Sequence, residues 1–274
     1  MKSIDVQQLN KSFNTFALQK ITFSVEEGTV VGVIGRNGAG KTTLLKSLLN
    51  IYEDVTGLAT LLGKDAFKED VAIKAQLGVV FDEFHLPHSL TPADLNRIYK
   101  QLFPNWDEAY FFELLDNLTL PHDKKVSTFS RGMRMLLQLA LALAHHPKML
   151  LLDEPTSGLD PVMRQHVLQL LSQFMENTEH TIFFSSHITS DLHTLADTIL
   201  CLHDGVVLFH ENKDVLLYEY VIVSSNVDVP HAIGKRPTVF STDYLVHKQY
   251  VENFGTTKPV TLDDLLLFFT EQPL

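Results

Sequence analysis

Glycines, polar residues and one lysine interrupt an apolar stretch within residues 30–50, "VVGVIGRNGAGKTTLLKSLLN". Gly35, Gly40, Lys41 and Thr42 match the spacing G-x-x-x-x-G-K-[ST]. Glycines allow the main chain to close on a ligand, and its N–H groups at a helix N-terminus suit phosphate oxygens. The lysine would reach the β- and γ-phosphates, and the threonine hydroxyl would bind Mg²⁺. We therefore predict a nucleoside triphosphate site at Gly35, Asn37, Gly38, Ala39, Gly40, Lys41, Thr42 and Thr43.

A pair of acidic residues ends the apolar run "MLLLDE" at residues 149–154. An acidic pair in such a place is often no more than a strand-end turn or a helix cap. Beside a complete phosphate loop, the pair instead has the chemistry that hydrolysis needs. We predict that Asp153 binds Mg²⁺, directly or through water, and that Glu154 is the general base for the attacking water.

Strands alternating with helices must hold these residues in place. The sequence "TVVGVIG" before the loop predicts a strand buried on both faces, and residues 41–50 predict a helix. Further strands are expected at 77–83, 149–154, 180–187 and 198–210, the last as a hairpin about Asp204-Gly205, with helices at about 161–177 and 189–196. This order indicates an α/β fold with a mostly parallel sheet.

Three other regions surround the predicted core. Residues 1–35 are β-rich and predict an N-terminal antiparallel β-subdomain, and helical spacing at 86–147 predicts an inserted helical lobe. We place one domain at 1–211, with the insert at about 83–147, and a C-terminal α+β tail at 212–274.

The tail contains two β-like runs, "YEYVIVSS" and "PTVFST", followed by the helical sequence "TLDDLLLFFT". Thr261 and Asp264 predict a capping box at the start of that helix. The residues expected on its apolar face are Leu262, Leu265, Leu266 and Phe269.

Composition limits the classes of partner. The formal net charge is −11, and basic residues form no stripe, so we expect no nucleic acid partner. The single cysteine, Cys201, excludes an internal disulfide and is typical of a reducing compartment. The longest apolar helical stretch, "LLQLALALA", is about half the length of a membrane span. The thirteen histidines show no metal-site spacing and, with the exception of His187, are expected at surfaces and helix ends.

The order of motifs along residues 1–210 resembles that of the nucleotide-binding subunits of ABC transporters. The phosphate loop and helical insert are followed by "FSRGM" at 129–133, "MLLLDE", "SGLD" at 157–160 and the histidine of "FSSH", His187. "FPNWDEAYFFELLD" and "SRGM" are similar to ABC-2-type exporter ATPases, including the bacterial subgroup that serves peptide, antibiotic and bacteriocin transport.

The resemblance implies an ATP-hydrolysing subunit that acts as a homodimer or heterodimer around two ATP molecules. Ser130 and Gly132 would face the γ-phosphate held by the other subunit, Asp160 would couple the two sites, and His187 would contact the γ-phosphate and position the water. Phe13 is the candidate for stacking on adenine, with Phe16 as the alternative.

The same resemblance implies a partner and a location. Closure on ATP and opening after hydrolysis would drive an integral membrane permease subunit at the cytoplasmic face of the cell membrane. The insert at 83–147 would carry the groove that receives a coupling helix from that subunit.

Two motifs depart from the family pattern. The family signature reads L-S-G-G-Q, whereas this chain has Arg131 in place of the first glycine and Met133 in place of the glutamine. Arg131 would either add charge near the phosphates or point to solvent. Asp82 replaces a glutamine that senses Mg²⁺ and the membrane subunit, and we predict that it keeps a metal-sensing role, the alternative being a strand-end turn.

Two other classes of function compete with the transporter. A soluble ABC-type ATPase acting on ribosomes usually has two cassettes in one chain, and one acting on DNA a long coiled coil, but this sequence shows neither. A P-loop kinase or GTPase would leave "SRGM…LLLDEPTSGLD" unexplained.

Overall fold

The computed structural model describes residues 1–68, 70–251 and 256–271. The strands are β1 (Lys2–Ser12), β2 (Ala17–Glu26), β3 (Val30–Ile34), β4 (Thr56–Leu61), β5 (Lys64–Asp65), β6 (Leu77–Val80), β7 (Met149–Asp153), β8 (Thr181–Ser185), β9 (Thr198–His203), β10 (Val206–Asn212), β11 (Tyr220–Ser225), β12 (Ala232–Pro237), β13 (Thr242–His247) and β14 (Thr256–Pro259). The helices are α1 (Lys41–Leu48), α2 (Val71–Lys74), α3 (Pro92–Leu102), α4 (Glu108–Asn117), α5 (Arg131–Leu143), α6 (Pro161–Phe174), α7 (Thr189–Leu195), α8 (Lys213–Glu219) and α9 (Leu262–Glu271), with 3₁₀ turns at Val126–Thr128 and Lys248–Tyr250.

A six-stranded sheet in the order β10-β9-β3-β8-β7-β6 forms the centre of the molecule. Its strands pair in parallel except for β10, which joins β9 as the predicted antiparallel hairpin about Asp204-Gly205. Every residue of β3, β7 and β8 is buried, as expected for parallel strands that are covered on both faces. The predicted α/β fold with a mostly parallel sheet is confirmed.

The two faces of β3 pack against different layers. Val31 and Val33 join α1 and the N-terminal strands in one apolar cluster, whereas Val30 and Ile34 join a second cluster with the helical insert. This division follows from the alternation of side chains along a strand. The N-terminal antiparallel sheet, in the order β2-β1-β4-β5, confirms the predicted β-subdomain.

The inserted lobe consists of α3, α4 and α5, each with a side-chain N-cap. Thr91 and Asp94 form a capping box on α3, Asp107 caps α4, and Ser130 caps α5. Every residue of α5 from Met135 to Leu143 except Gln138 is buried, and the helix packs against β6 at the edge of the central sheet. The start of α5 is therefore held at the junction between the lobe and the core.

The tail forms a separate sheet in the order β12-β13-β11-β14, together with α9. The capping box at Thr261 and Asp264 is confirmed by both of its backbone hydrogen bonds, 3.1 and 3.2 Å long. Leu262 and Leu265 are buried as predicted, and Leu266 and Phe269 are partly buried against the same apolar cluster, which also contains the buried Phe268. Phe269 also contacts Phe209 of β10, at a ring distance of 4.9 Å.

The prediction of a strand at "PTVFST" was wrong. Pro237 ends β12, and residues 238–241 turn the chain into β13. Thr238 and Ser241 close the turn with a 2.7 Å backbone hydrogen bond and side-chain bonds, and Val239 and Phe240 point into solvent. The β-propensity of valine and phenylalanine is outweighed here by a proline and by two hydroxyl side chains that favour a turn.

No helix in the described residues has the length and apolarity of a membrane span.

Candidate active site

The phosphate loop connects the buried strand β3 to α1. Gly38 and Gly40 have φ angles of 84° and 108°, which side chains other than glycine adopt rarely. A Cβ on Gly40 would lie 2.7 Å from the Phe16 ring, and one on Gly35 would lie 2.3 Å from a backbone oxygen of Leu202. The first turn of α1 contains no acidic residue, so the positive end of the helix is left for an anion.

Lys41 is nearly buried at the start of α1. Its Nζ atom donates a 2.8 Å hydrogen bond to the carbonyl oxygen of Gly35 and lies 3.8 Å from Oε1 of Glu154. The ammonium group is thus held between the loop and the end of β7, where a bound triphosphate would add further acceptors.

Asp153 is fixed by two hydroxyl groups. Thr42 Oγ1 donates to Oδ2 at 2.7 Å, and Ser185 Oγ donates to Oδ1 at 2.6 Å. This set of carboxylate and hydroxyl oxygens beside a phosphate loop fits Mg²⁺, which prefers oxygen ligands and shares them with substrate phosphates. Ser185 was not predicted, although it stands opposite Asp153 in the pairing of β7 with β8.

Glu154 follows β7 directly and adopts the left-handed conformation, with a φ angle of 53°. Its N–H donates to the Ser185 hydroxyl at 3.0 Å. Its Oε2 accepts the His187 N–H at 3.2 Å and lies 2.6 Å from His187 Nδ1. The two residues predicted to be catalytic are therefore in contact, and the same carboxylate faces Lys41.

Ser130 and Asp160 act as helix caps in this single chain. Ser130 Oγ accepts the N–H of Met133 at 3.1 Å. Asp160 accepts two N–H groups at the start of α6, at 3.0 and 3.1 Å. A Cβ on Gly132 would lie 3.1 Å from the Leu159 side chain, so the start of α5 adjoins the segment after β7. The roles of Ser130, Gly132 and Asp160 toward a second subunit stay predictions.

The two candidates for adenine stacking differ in exposure. Phe13 is 42 % exposed and meets the Tyr52 ring edge-on at 5.2 Å, with Lys11 Nζ 5.1 Å from its centroid. Phe16 is partly buried against Gly40 and the apolar cluster around α1. Phe13 is therefore the more accessible of the two rings, whereas Phe16 packs against the phosphate loop. The assignment of Phe13 to adenine stays a prediction.

Asp82 lies two residues after β6, and its Oδ1 accepts a 2.5 Å hydrogen bond from Arg131 Nη2. Arg131 is thus held in an ion pair with Asp82. The alternative that its side chain simply points to solvent does not describe this contact. The metal-sensing role of Asp82 stays a prediction.

A buried aspartate that the sequence did not predict, Asp191, connects the segments next to the site. Asp191, in α7, accepts from the Thr156 hydroxyl at 2.5 Å and from Arg164 Nε at 2.6 Å. These bonds join the segment after Glu154, helix α6 and the helix that follows His187. Nothing in the local pattern "HITSDLHTL" distinguishes this aspartate from an exposed one.

Residues 18–157 match the sequence profile described as ABC transporter. The chain belongs to the ABC transporter family. This ABC protein is 32 % identical over 194 residues to the bacitracin transport ATP-binding protein BcrA of Bacillus licheniformis, a match that covers 70 % of the chain and 63 % of the relative. It is 31 % identical to the lantibiotic transport ATP-binding protein SrtF of Streptococcus pyogenes, over 77 % of the chain and 91 % of the relative.

Solved structures share the fold of this ABC protein. An ATP-binding subunit of an ABC transporter has a TM-score of 0.70 at 24 % identity, over 77 % of this chain and 90 % of that one. The ATP-binding cassette MJ0796, dimeric and bound to ADP and Pi, has a TM-score of 0.68 at 21 % identity, over 76 % of this chain and 98 % of that one. As a member of the family, the chain is an ATP-binding subunit with ATPase activity, as the order of its motifs predicted.

Proposed function

We propose that this ATPase powers export across a membrane as part of a dimer bound to an integral membrane permease subunit. The observation that carries the proposal is the convergence of Lys41, Glu154 and His187 beside the bonded pair Thr42 and Asp153. Relatives named for bacitracin and lantibiotic transport support export as the direction and a peptide-like antibiotic as the class of cargo.

Hydrolysis at this site needs one proton acceptor and one set of phosphate ligands. The N–H groups of the loop and Lys41 bind the β- and γ-phosphates, and Mg²⁺ held by Thr42 and Asp153 would neutralise phosphate charge. Glu154 takes a proton from water as the water oxygen bonds to the γ-phosphorus and the bond to the β–γ bridging oxygen breaks. His187 orients the carboxylate of Glu154 through the 2.6 Å contact.

A second subunit completes each site in this proposal. The hydroxyl of Ser130 and the N-terminus of α5 present hydrogen-bond donors to the γ-phosphate of the partner's ATP. Asp160 stands at the start of α6, directly after Leu159, whose side chain lies next to Gly132. Closure on ATP and opening after hydrolysis then supply the motion that the permease uses. The subunit works as a homodimer or with a second ATPase.

An apolar groove supports docking of the permease. A cavity of about 400 Å³ lies between β6, α3 and α5, and Ile51, Phe81 and Phe103 are among its lining residues. Ile51 is 51 % exposed there. The groove fits the apolar face of a short helix, which is how helices bind in grooves. A docked permease places the ATPase on the cytoplasmic face of the membrane.

The test is capture of the tagged chain from detergent-solubilised native membranes, followed by mass spectrometry. Ile51→Glu alters the groove, and Leu58→Glu is the matched control because Leu58 is 65 % exposed on β4, outside the groove. We expect the wild type and the control variant to capture a multi-span membrane protein, and Ile51→Glu to capture none. Recovery from the soluble fraction alone, with ribosomal or DNA-repair proteins, would overturn the proposal.

A further inference from the structure

Two of the residues that depart from the family pattern, Asp82 and Arg131, contact each other. Asp82 stands where a glutamine is usual, and Arg131 stands where the signature has a glycine, 49 residues later. Arg131 Nη2 donates to Asp82 Oδ1 at 2.5 Å. Aspartate is shorter than the usual glutamine, and arginine is longer than the usual glycine, so the two side chains reach each other. We therefore treat the two substitutions as one structural feature.

The pair connects the inserted lobe to the ATPase core. Asp82 belongs to the chain that leaves the core strand β6, and Arg131 is the first residue of α5. Gln138, two turns further along the same face of α5, donates to the carbonyl oxygen of Phe81 at 3.1 Å. Two side chains of α5 therefore bond to two consecutive residues at the exit of β6.

Arg131 also lies against the segment between Glu154 and Asp160. Its Nη2 is 3.5 Å from the Ser157 hydroxyl. A Cβ on Gly158, whose φ angle is 74°, would lie 3.6 Å from Cδ of the arginine. The Arg131 side chain thus connects the start of α5 to the exit of β6 and to the segment after β7.

We propose that the Asp82–Arg131 ion pair is a positioning device for the start of α5. It sets the angle at which Ser130 and Gly132 face the partner's nucleotide, and so this inference rests on the proposed function. The two side chains are 38 % and 58 % exposed, and ion pairs that are this accessible contribute little to stability. The pair therefore acts through orientation, and its loss changes turnover while the fold and the nucleotide affinity are kept.

A double-mutant cycle tests the proposal in the full chain, with Asp82→Ala, Arg131→Ala and the double variant. The matched control is Arg97→Gln, since Arg97 pairs with Asp94 within α3 and, among the described residues, forms no ion pair with another element. ATPase kcat and KM, ATP affinity by calorimetry, and Tm are measured for each protein. We expect kcat to fall about tenfold in each single variant. A shift of about 1 Å in a group that must be positioned for the reaction can lower the rate by as much as 100-fold.

The proposal expects the double variant to lose no more than either single variant, since both remove the same interaction. ATP affinity stays within about twofold and Tm within about 3 °C of the wild type. Losses that multiply to about 100-fold would overturn the pairing and assign the residues separate roles. A higher Mg²⁺ requirement in Asp82→Ala but not in Arg131→Ala would do the same, in favour of direct metal sensing.

Failure of this inference and failure of the proposed function look different. If the wild type hydrolyses ATP and all three variants have the same kcat as the wild type, only the positioning role is contradicted. A wild type that never dimerises with ATP and captures no multi-span protein contradicts the proposed function, whatever the variants do.

Discussion

His187 Nδ1 lies 2.6 Å from Glu154 Oε2, and the backbone N–H of His187 donates to the same oxygen at 3.2 Å. A carboxylate only accepts hydrogen bonds, so Nδ1 carries the proton in this contact. The contact forms because β7 and β8 are parallel neighbours, and the residues that follow them meet at one edge of the sheet. The histidine therefore fixes the orientation of the Glu154 carboxylate, the group that we propose as the general base.

Glu154→Gln should lower kcat for ATP hydrolysis by about 10²–10⁴-fold, because a positioned general base contributes that much. The amide keeps the size of the side chain but takes up no proton, so ATP still binds and an ATP-bound dimer accumulates. Gel filtration with ATP and Mg²⁺, together with a phosphate-release assay, measures both effects. Glu179→Gln is the control, since Glu179 is an exposed glutamate paired with Lys148. A Glu154→Gln protein that stayed monomeric and hydrolysed at the parental rate would contradict the base assignment.

Phe13→Ala should weaken ATP binding by about 1–3 kcal/mol, or roughly 5- to 150-fold, since stacking of a base on an aromatic ring contributes that amount. Tm should change little because the Phe13 ring is 42 % exposed. Phe16→Ala should instead lower Tm, because Phe16 packs against Gly40 and the cluster around α1. Calorimetry and thermal unfolding of both variants separate the two candidates. Unchanged affinity in Phe13→Ala, with a large loss in Phe16→Ala at parental Tm, would reverse the assignment.

The groups of the candidate site could be predicted from local patterns. Lys41 and Thr42 follow their strand in an ordered motif, and Asp153 and Glu154 end another buried strand. Because the carboxyl ends of parallel strands meet at one edge of the sheet, sequence position was enough to bring these residues together. His187 was assigned from the order of the family motifs, and it lies two residues after β8, at the same edge of the sheet.

Contacts between residues distant in sequence could not be predicted in this way. The Asp82–Arg131 pair spans 49 residues, and the buried Asp191 has partners 27 and 35 residues away. His145 lies just after the end of α5, one of the two kinds of place expected for histidines, but it is buried there and stacks on Phe103 at a ring distance of 4.1 Å. Local periodicity carries no information on which surfaces meet, and these details depend on that.

Leu265→Ala should lower the free energy of unfolding by about 2–5 kcal/mol. Leu265 is fully buried in the same apolar cluster as Leu192 and Ile199, so the tail helix and the ATPase core share one core. Urea unfolding followed by circular dichroism measures the change. Phe240→Ser is the control, and it should stay within about 0.5 kcal/mol because Phe240 is 90 % exposed. A separate transition for the tail, with an unchanged core transition, would show that the tail is an independent unit.

Acidification should destabilise the protein through His145. Burial lowers the pKa of this imidazole below its ordinary value of 6.5, although hydrogen bonds to the Leu77 and Leu141 carbonyl oxygens oppose the shift. The unfolded chain therefore takes up the proton first as the pH falls. The contribution of neutral His145 to the free energy of unfolding is fully present above about pH 6.5 and is lost progressively below it. For one proton, the free energy of unfolding falls by at most about 1.4 kcal/mol per pH unit.

His145→Gln tests this pH dependence. The variant should be less stable than the wild type at pH 7.5, because the stack on Phe103 is lost, but it should lose less stability between pH 7.5 and 5.5. His210, whose pKa burial also lowers, remains in both proteins, so its contribution cancels in the comparison. Urea unfolding at the two pH values gives the four free energies. Parallel losses in the wild type and in His145→Gln would mean that other groups carry the acid sensitivity.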